Sequence, residues 1–157
     1  LLHQVYELKP SDSTRTLVAY ACRSQADFDR FFSTFQRLER AEVAAVARAL
    51  SFASPAVVDS VVNRLRQLGV DVDANLTLQA VLSLKAAQSG SLDAASKHLA
   101  AALEQLQVTS PGPMGFFVVS QLAQSLVLQQ QYEAAFQLVQ QTLPSDEVNS
   151  HVQHPDR

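Results

Sequence analysis

Phe28-Asp29-Arg30-Phe31 is the first of four short stretches whose shared pattern decides the fold. An apolar residue is followed by an acid, then any residue, then an apolar or small one. The pattern returns as Val58-Asp59-Ser60-Val61, Leu92-Asp93-Ala94-Ala95 and Tyr132-Glu133-Ala134-Ala135, with starts 30, 34 and 40 residues apart. Seven positions after each start stand Phe35, Leu65, Leu99 and Val139. Ten or eleven positions on stand Leu38, Leu68, Leu103 and Leu143. Such spacings keep all of these on one face of a 3.6-residue helix. The acid is expected in the first turn, where it complements the positive end of the helix dipole. Each unit thus contains an equivalent second helix.

A first helix precedes each of these. Apolar-periodic segments run over 13–25, 41–52, 75–89 and 113–129. Ser54-Pro55 reads as an N-cap followed by proline in the first helical position. Gly90 is placed to end one helix in the left-handed conformation and Ser91 to cap the next. Ser110-Pro111-Gly112-Pro113 is the sharpest break, and Asp73 is a candidate N-cap. Leu1, Leu2, Val5 and Leu8 fall 60 residues before Val61, Val62, Leu65 and Leu68 in the same register. The chain is therefore expected to open inside the second helix of an earlier repeat, as a fragment of a longer protein. The expected architecture is all-α. It is a right-handed α-solenoid of stacked antiparallel helix pairs, about four repeats plus a truncated N-terminal one, because a single hairpin cannot bury its own apolar face. The array spans 1–144, and the polar, aperiodic stretch 145–157 reads as a disordered tail.

Composition supports this. A chain that is 47% hydrophobic and 17% charged has the apolar surface to offset its conformational entropy, which excludes a disordered protein. The single cysteine, Cys22, cannot close an internal disulfide. No apolar run approaches the roughly 20 residues that span a bilayer, and any targeting signal is expected outside this stretch. The net charge of −3 divides unevenly, +2 over residues 1–66 and −5 over 67–157. A duplex-binding domain needs a strongly basic footprint, so only local contacts from the first half are expected.

Two stretches resemble pentatricopeptide repeats. Leu17-Val18-Ala19-Tyr20-Ala21-Cys22-Arg23 is similar to the first helix of that family. Ser89-Gly90-Ser91-Leu92-Asp93-Ala94-Ala95 is similar to its mid-repeat turn, and Leu8–Asp12 and Leu68–Asp71 resemble the turn that ends a repeat. Tetratricopeptide repeats are the alternative, but their Trp, Leu-Gly and Tyr positions do not line up with this chain. The resemblance implies an organellar, mitochondrial RNA-binding or ribosome-associated factor. In the family a polar residue early in the first helix and another at the repeat end read one base. The matching early positions here are Arg15 and Ala80, neither of them Asn, Ser or Thr. Asp12 and Asp71–Asp73 lie near the repeat end. This departure favours contact with structured RNA or protein over base-by-base reading.

No residue set here reads as catalytic. His3, His98, His151 and His154 do not group with Cys or paired carboxylates at ligand spacing, Asp71-Val72-Asp73 lacks the rest of a calcium loop, and no glycine-rich phosphate loop occurs. Cys22 reads as a small packing residue, and Asn75-Leu76-Thr77 as an incidental sequon. The expectation is a non-catalytic scaffold with no metal, no cofactor, no small-molecule substrate and no membrane contact. Its partners would be protein subunits of a larger complex and single-stranded or structured RNA. A tetratricopeptide-like cytoplasmic adaptor is the second reading, and an enzyme with its catalytic domain elsewhere the third. For partner contact the candidates are Arg15, Arg23, Arg30, Arg37, Arg40 and Arg48, competing with a plain solvated face. Phe32 joins them because it leans off the Phe28, Phe31, Phe35 stripe.

Overall fold

The computed structural model describes residues 12–110 and 112–142. Among these it is all-α: eight helices, a single 3-10 turn over Gly112–Met114, and no strand. The helices are α1 (Asp12–Ala21), α2 (Gln25–Thr34), α3 (Arg40–Leu50), α4 (Pro55–Gln67), α5 (Leu76–Gln88), α6 (Leu92–Val108), α7 (Gly115–Leu128) and α8 (Tyr132–Thr142). The expected helix before α1, the tail 145–157, and His3, His151 and His154 lie outside the described residues.

Local signals end most of these helices where the sequence places them. Ser54 stands at the N-cap position of α4 with Pro55 in the first turn, although its side chain makes no capping hydrogen bond. Gly90 has φ +77°, and the Ser91 and Gly90 amides donate back to the Ala86 and Ala87 carbonyls, closing α5. The end of α7 repeats this arrangement without a glycine. Gln130 takes φ 61°, and the Gln131 and Gln130 amides donate to Leu126 and Val127. Holding a side chain there costs on the order of 1–2 kcal/mol. Asp73 is not the cap of α5. That place belongs to Asn75, whose side chain accepts from the Leu78 amide, while Asp73 pairs with Arg66 at 3.2 Å.

The repeat register needs one correction. The first backbone bond of each second helix runs Phe28 to Ser24, Val58 to Ser54, Ala95 to Ser91 and Ala135 to Gln131. Equivalent positions are therefore Phe28, Val58, Ala95 and Ala135, and all four are buried. The four-residue pattern starts four residues after the cap in α2 and α4, but only one residue after it in α6 and α8. Leu92 and Tyr132, expected in the core, are 50% and 63% exposed. Asp93 and Glu133 occupy the first turn as expected, whereas in α2 that place is taken by Asp27 and in α4 by no acid.

Packing follows two interleaved sets. α1 lies against α3, α3 against α5, and α5 against α7. Of helices adjacent in the chain, α1 contacts α2, α5 contacts α6 and α7 contacts α8, while α4 packs on α2. One apolar cluster runs from Val18 of α1 through the α2 rings and the α3 face to Leu78, Val81 and Leu82 of α5. The second holds Ala80 of α5 with Leu99, Ala102, Val118, Leu122, Leu126 and Ala135. Phe31 of α2 lies 5.5 Å from Phe32 and 4.9 Å from Phe35 at the C-cap, ring centre to ring centre.

The corrected register separates two substitutions. Phe28→Ala removes a fully buried ring and is expected to cost about 3–5 kcal/mol. Leu92→Ser is expected to change stability by less than about 0.5 kcal/mol. Urea denaturation of the two variants checks this; comparable losses would restore the register of the four-residue pattern.

Candidate binding cleft

The seven candidate residues separate into three groups. Arg15 is held inside the fold. Its Nε lies 2.8 Å from Glu42 Oε1, and its Nη2 donates to Glu42 Oε2 at 3.2 Å and to the Arg37 carbonyl at 2.7 Å. Its guanidinium also rests 4.7 Å from the centre of the Phe35 ring. Glu42 is only 1% exposed, and its Oε2 accepts from the Glu39 amide at 2.6 Å as well. Removing either partner would strand a buried charge. Arg15 is thereby a tie between α1 and α3.

Phe32 is likewise a core residue, 2% exposed, and presents no ring to a partner. Ala80, the other position where the family resemblance would place base reading, is wholly buried in the second cluster. Arg30, Arg37 and Arg40 are exposed, on α2, on the α2–α3 connection and at the start of α3. Arg48 lies eight residues beyond Arg40, about 12 Å along the helix axis. These three form no common site with it.

Arg23 and Arg48 are the two candidates that the fold brings together. They line a cleft of about 320 Å³ with Tyr20, Ala49 and Phe52, at the C-terminal ends of α1 and α3. Arg23 Nη1 turns back and donates to the Tyr20 carbonyl and, at 2.7 Å, to the Cys22 carbonyl. This satisfies orphan acceptors at the negative end of α1. The same guanidinium lies 4.7 Å from the centre of the Phe52 ring. The Arg48 guanidinium lies over two rings, 5.6 Å from the centre of Tyr20 and 5.6 Å from that of Phe117 of α7. Neither arginine forms an ion pair among the described residues, and the Arg48 guanidinium has no hydrogen-bond acceptor among them. Phe52 is 68% exposed. The cleft thus holds a pair of cations beside an open aromatic face.

Sequence reasoning named Arg23 and Arg48 but not the rings that orient them. Tyr20 and Arg23 are three apart, and Arg48 and Phe52 four apart, so each segment carries its own arginine–aromatic pair. The contacts are exchanged between the segments: Arg23 covers Phe52, and Arg48 covers Tyr20. Cys22, just beneath, is buried as expected. Its Sγ donates to the Val18 carbonyl at 3.4 Å, and burial, with Asp27 nearby, pushes the thiol up to about 12. It is not a nucleophile at neutral pH.

A second groove, of about 230 Å³, lies where α4, α5 and α6 meet, with Lys85, His98 and Asp59 among its lining. Lys85 Nζ donates to the Ala53 carbonyl at 2.9 Å, and burial lowers its pKa. The His98 tautomer follows from its neighbour. Gln79 Nε2 donates to the Val72 carbonyl at 3.0 Å, so Gln79 Oε1 faces His98 Nδ1 at 2.8 Å. An amide oxygen can only accept, so Nδ1 carries the hydrogen. Among the described residues no group of three or more His, Cys, Asp or Glu is placed to hold a metal ion, and no helix is long and apolar enough to cross a membrane.

Comparison with known proteins finds no matching family model, no matching curated protein and no matching solved structure.

His98 gives this region a pH signature. Burial, with Lys97 adding to it, lowers its pKa below the ordinary 6.5, against the opposing pull of Asp73. The folded state therefore binds fewer protons than the unfolded one in the window below 6.5, and stability rises with pH there. The contribution is complete above about pH 6.5 and is lost as the pH falls through the folded value. Urea denaturation at pH 5.5 and 7.5 is expected to show a larger stability gain in the native protein than in His98→Gln.

Proposed function

We propose that this chain is a non-catalytic helical-repeat scaffold that binds RNA within an organellar, mitochondrial ribonucleoprotein or RNA-processing assembly. In this reading the helices form an α-solenoid of stacked antiparallel pairs, pentatricopeptide-like in type. Its support is the order of neighbours, α1 to α3 to α5 to α7, with α2, α6 and α8 each beside the first helix of its own pair. The repeated turn at Gly90 and Gln130, which releases an equivalent second helix each time, supports it too. Such an array offers an extended surface and no enclosed reaction chamber.

The observation that carries the RNA reading is the cleft itself, where two cations unpaired by any described carboxylate share a lining with the exposed Phe52 ring, Arg23 over that ring and Arg48 over Tyr20. Guanidinium groups paired with aromatic surface suit single-stranded nucleic acid, because phosphates meet the charge and bases meet the ring. The charge of −5 over residues 67–157 confines this contact to the first half. A protein–protein adaptor of tetratricopeptide type is the second reading, and it has its own observation. Phe116, Val127, Leu128, Tyr132 and Phe136 are exposed on the last helix pair and would suit an apolar partner.

Fluorescence anisotropy with labelled single-stranded 12-mer RNAs tests the first reading. Binding with a Kd of about 1–100 μM is expected at low salt, weakening linearly in log–log form as salt rises. Absence of binding at low salt to every RNA in the panel overturns it in favour of the adaptor.

A further inference from the structure

We infer that the Arg23–Arg48 cleft is a seat for one unpaired nucleotide, with its base on the open face of Phe52 and its phosphate between the two guanidinium groups. This rests on the RNA reading above and adds to it a place, a ligand conformation and a role for each residue.

Arg23 covers one face of Phe52, and the ring is still 68% exposed, so its other face is open. A flat apolar face of this size stacks on a base. The cation behind the ring holds it in place and is itself fixed by two carbonyls of the α1 terminus. Arg48 is exposed and lies 5.6 Å from the ring centres of both Tyr20 and Phe117, with its hydrogen-bond donors lacking acceptors among the described residues. An exposed guanidinium with no described acceptor keeps its N–H groups available to a phosphate. The crossed pairing places both cations on the rim of one cleft, so a bound anion meets two charges. Arg23 is already oriented by two carbonyls, which removes its share of the ordering that binding costs.

The geometry also sets the ligand class. Bases in a duplex are stacked on one another and cannot reach an isolated ring, so the ligand is single-stranded. A peptide of acidic residues alone could meet the two charges but has no ring to cover Phe52.

The sequence supplies a convenient reporter, since it contains no tryptophan. Phe52→Trp places one indole at the stacking face without disturbing the core. Single-stranded 12-mer RNA is expected to quench its fluorescence and to bind this variant at least as tightly as the native protein. Phe52→Ala should weaken binding about 5- to 100-fold, the range that loss of one stacked base produces. Arg48→Glu should weaken it by about tenfold or more and make the log–log salt slope shallower by about 0.7, one phosphate contact. Arg48→Lys should recover part of the affinity, and Arg64→Glu, an equal charge change on α4, should leave binding within about twofold.

If RNA binds but neither quenches Phe52→Trp nor responds to Phe52→Ala and Arg48→Glu, the cleft is not the site, and the RNA-binding scaffold stands without it. If no variant and no native protein binds RNA, the scaffold reading itself fails and takes the cleft with it. Quenching by oligoglutamate equal to that by RNA would also overturn the nucleotide seat, by making it an acidic-peptide site.

Discussion

Helix α5 is buried without interruption from Leu78 to Leu84, and every inward polar group it carries must therefore find a partner inside the protein. Its apolar residues serve both cores, Leu78, Val81 and Leu82 on one side and Ala80 on the other. Its polar residues, Gln79 and Ser83, stand one turn apart. Gln79 bridges the Val72 carbonyl and His98. Ser83 heads a relay. It donates to the Ala95 carbonyl at 3.0 Å, so its other neighbour, Ser125 at 2.6 Å, must donate to it. Gln129 Nε2 donates to Ser125 Oγ, and Ser96 donates to Gln129 Oε1. Three helices are fixed in register by one directional chain of hydrogen bonds. The chain is buried at Ser83 and Ser125 and reaches the surface at Ser96, and slipping a helix would break several of its bonds at once.

Helix positions were legible in the sequence because amphipathic periodicity and terminal residues act locally. Gly90, Ser54-Pro55 and the break at 110–113 needed nothing from the rest of the chain. The register of the repeat was less legible, for a geometric reason. Residues three apart share a helix face, so moving the four-residue pattern by three positions leaves the apolar stripe almost unchanged. Only the cap and the first backbone bond tell the alternatives apart, and in α6 and α8 they push Leu92 and Tyr132 outward. Buried alanines, Ala95 and Ala135, take the places that Phe28 and Val58 hold in the earlier copies.

The candidate cleft was half legible. An arginine in sequence carries no sign of whether it faces inward. Arg15 found a buried Glu42 on another helix, 27 residues away, and became structural. Arg23 and Arg48 found rings instead. Their own neighbours Tyr20 and Phe52 were visible at helical spacing, but the exchange of partners exists only after α1 packs against α3. The same packing that buries Val18, Val46 and Leu50 in the first core therefore builds the cleft. Phe117 of α7 packs against that core and also supports Arg48. Through this ring the far half of the chain braces a surface formed by the near half.

Such an arrangement makes α5 the element that joins the two cores. Native-state hydrogen exchange tests this most directly. The amides of Leu78 to Leu84 are expected to be the slowest in the protein and to exchange only through global unfolding, with α3 and α7 opening at the same free energy. Exchange of those amides ahead of Phe31 in α2, or separate opening of the two cores, would contradict the account.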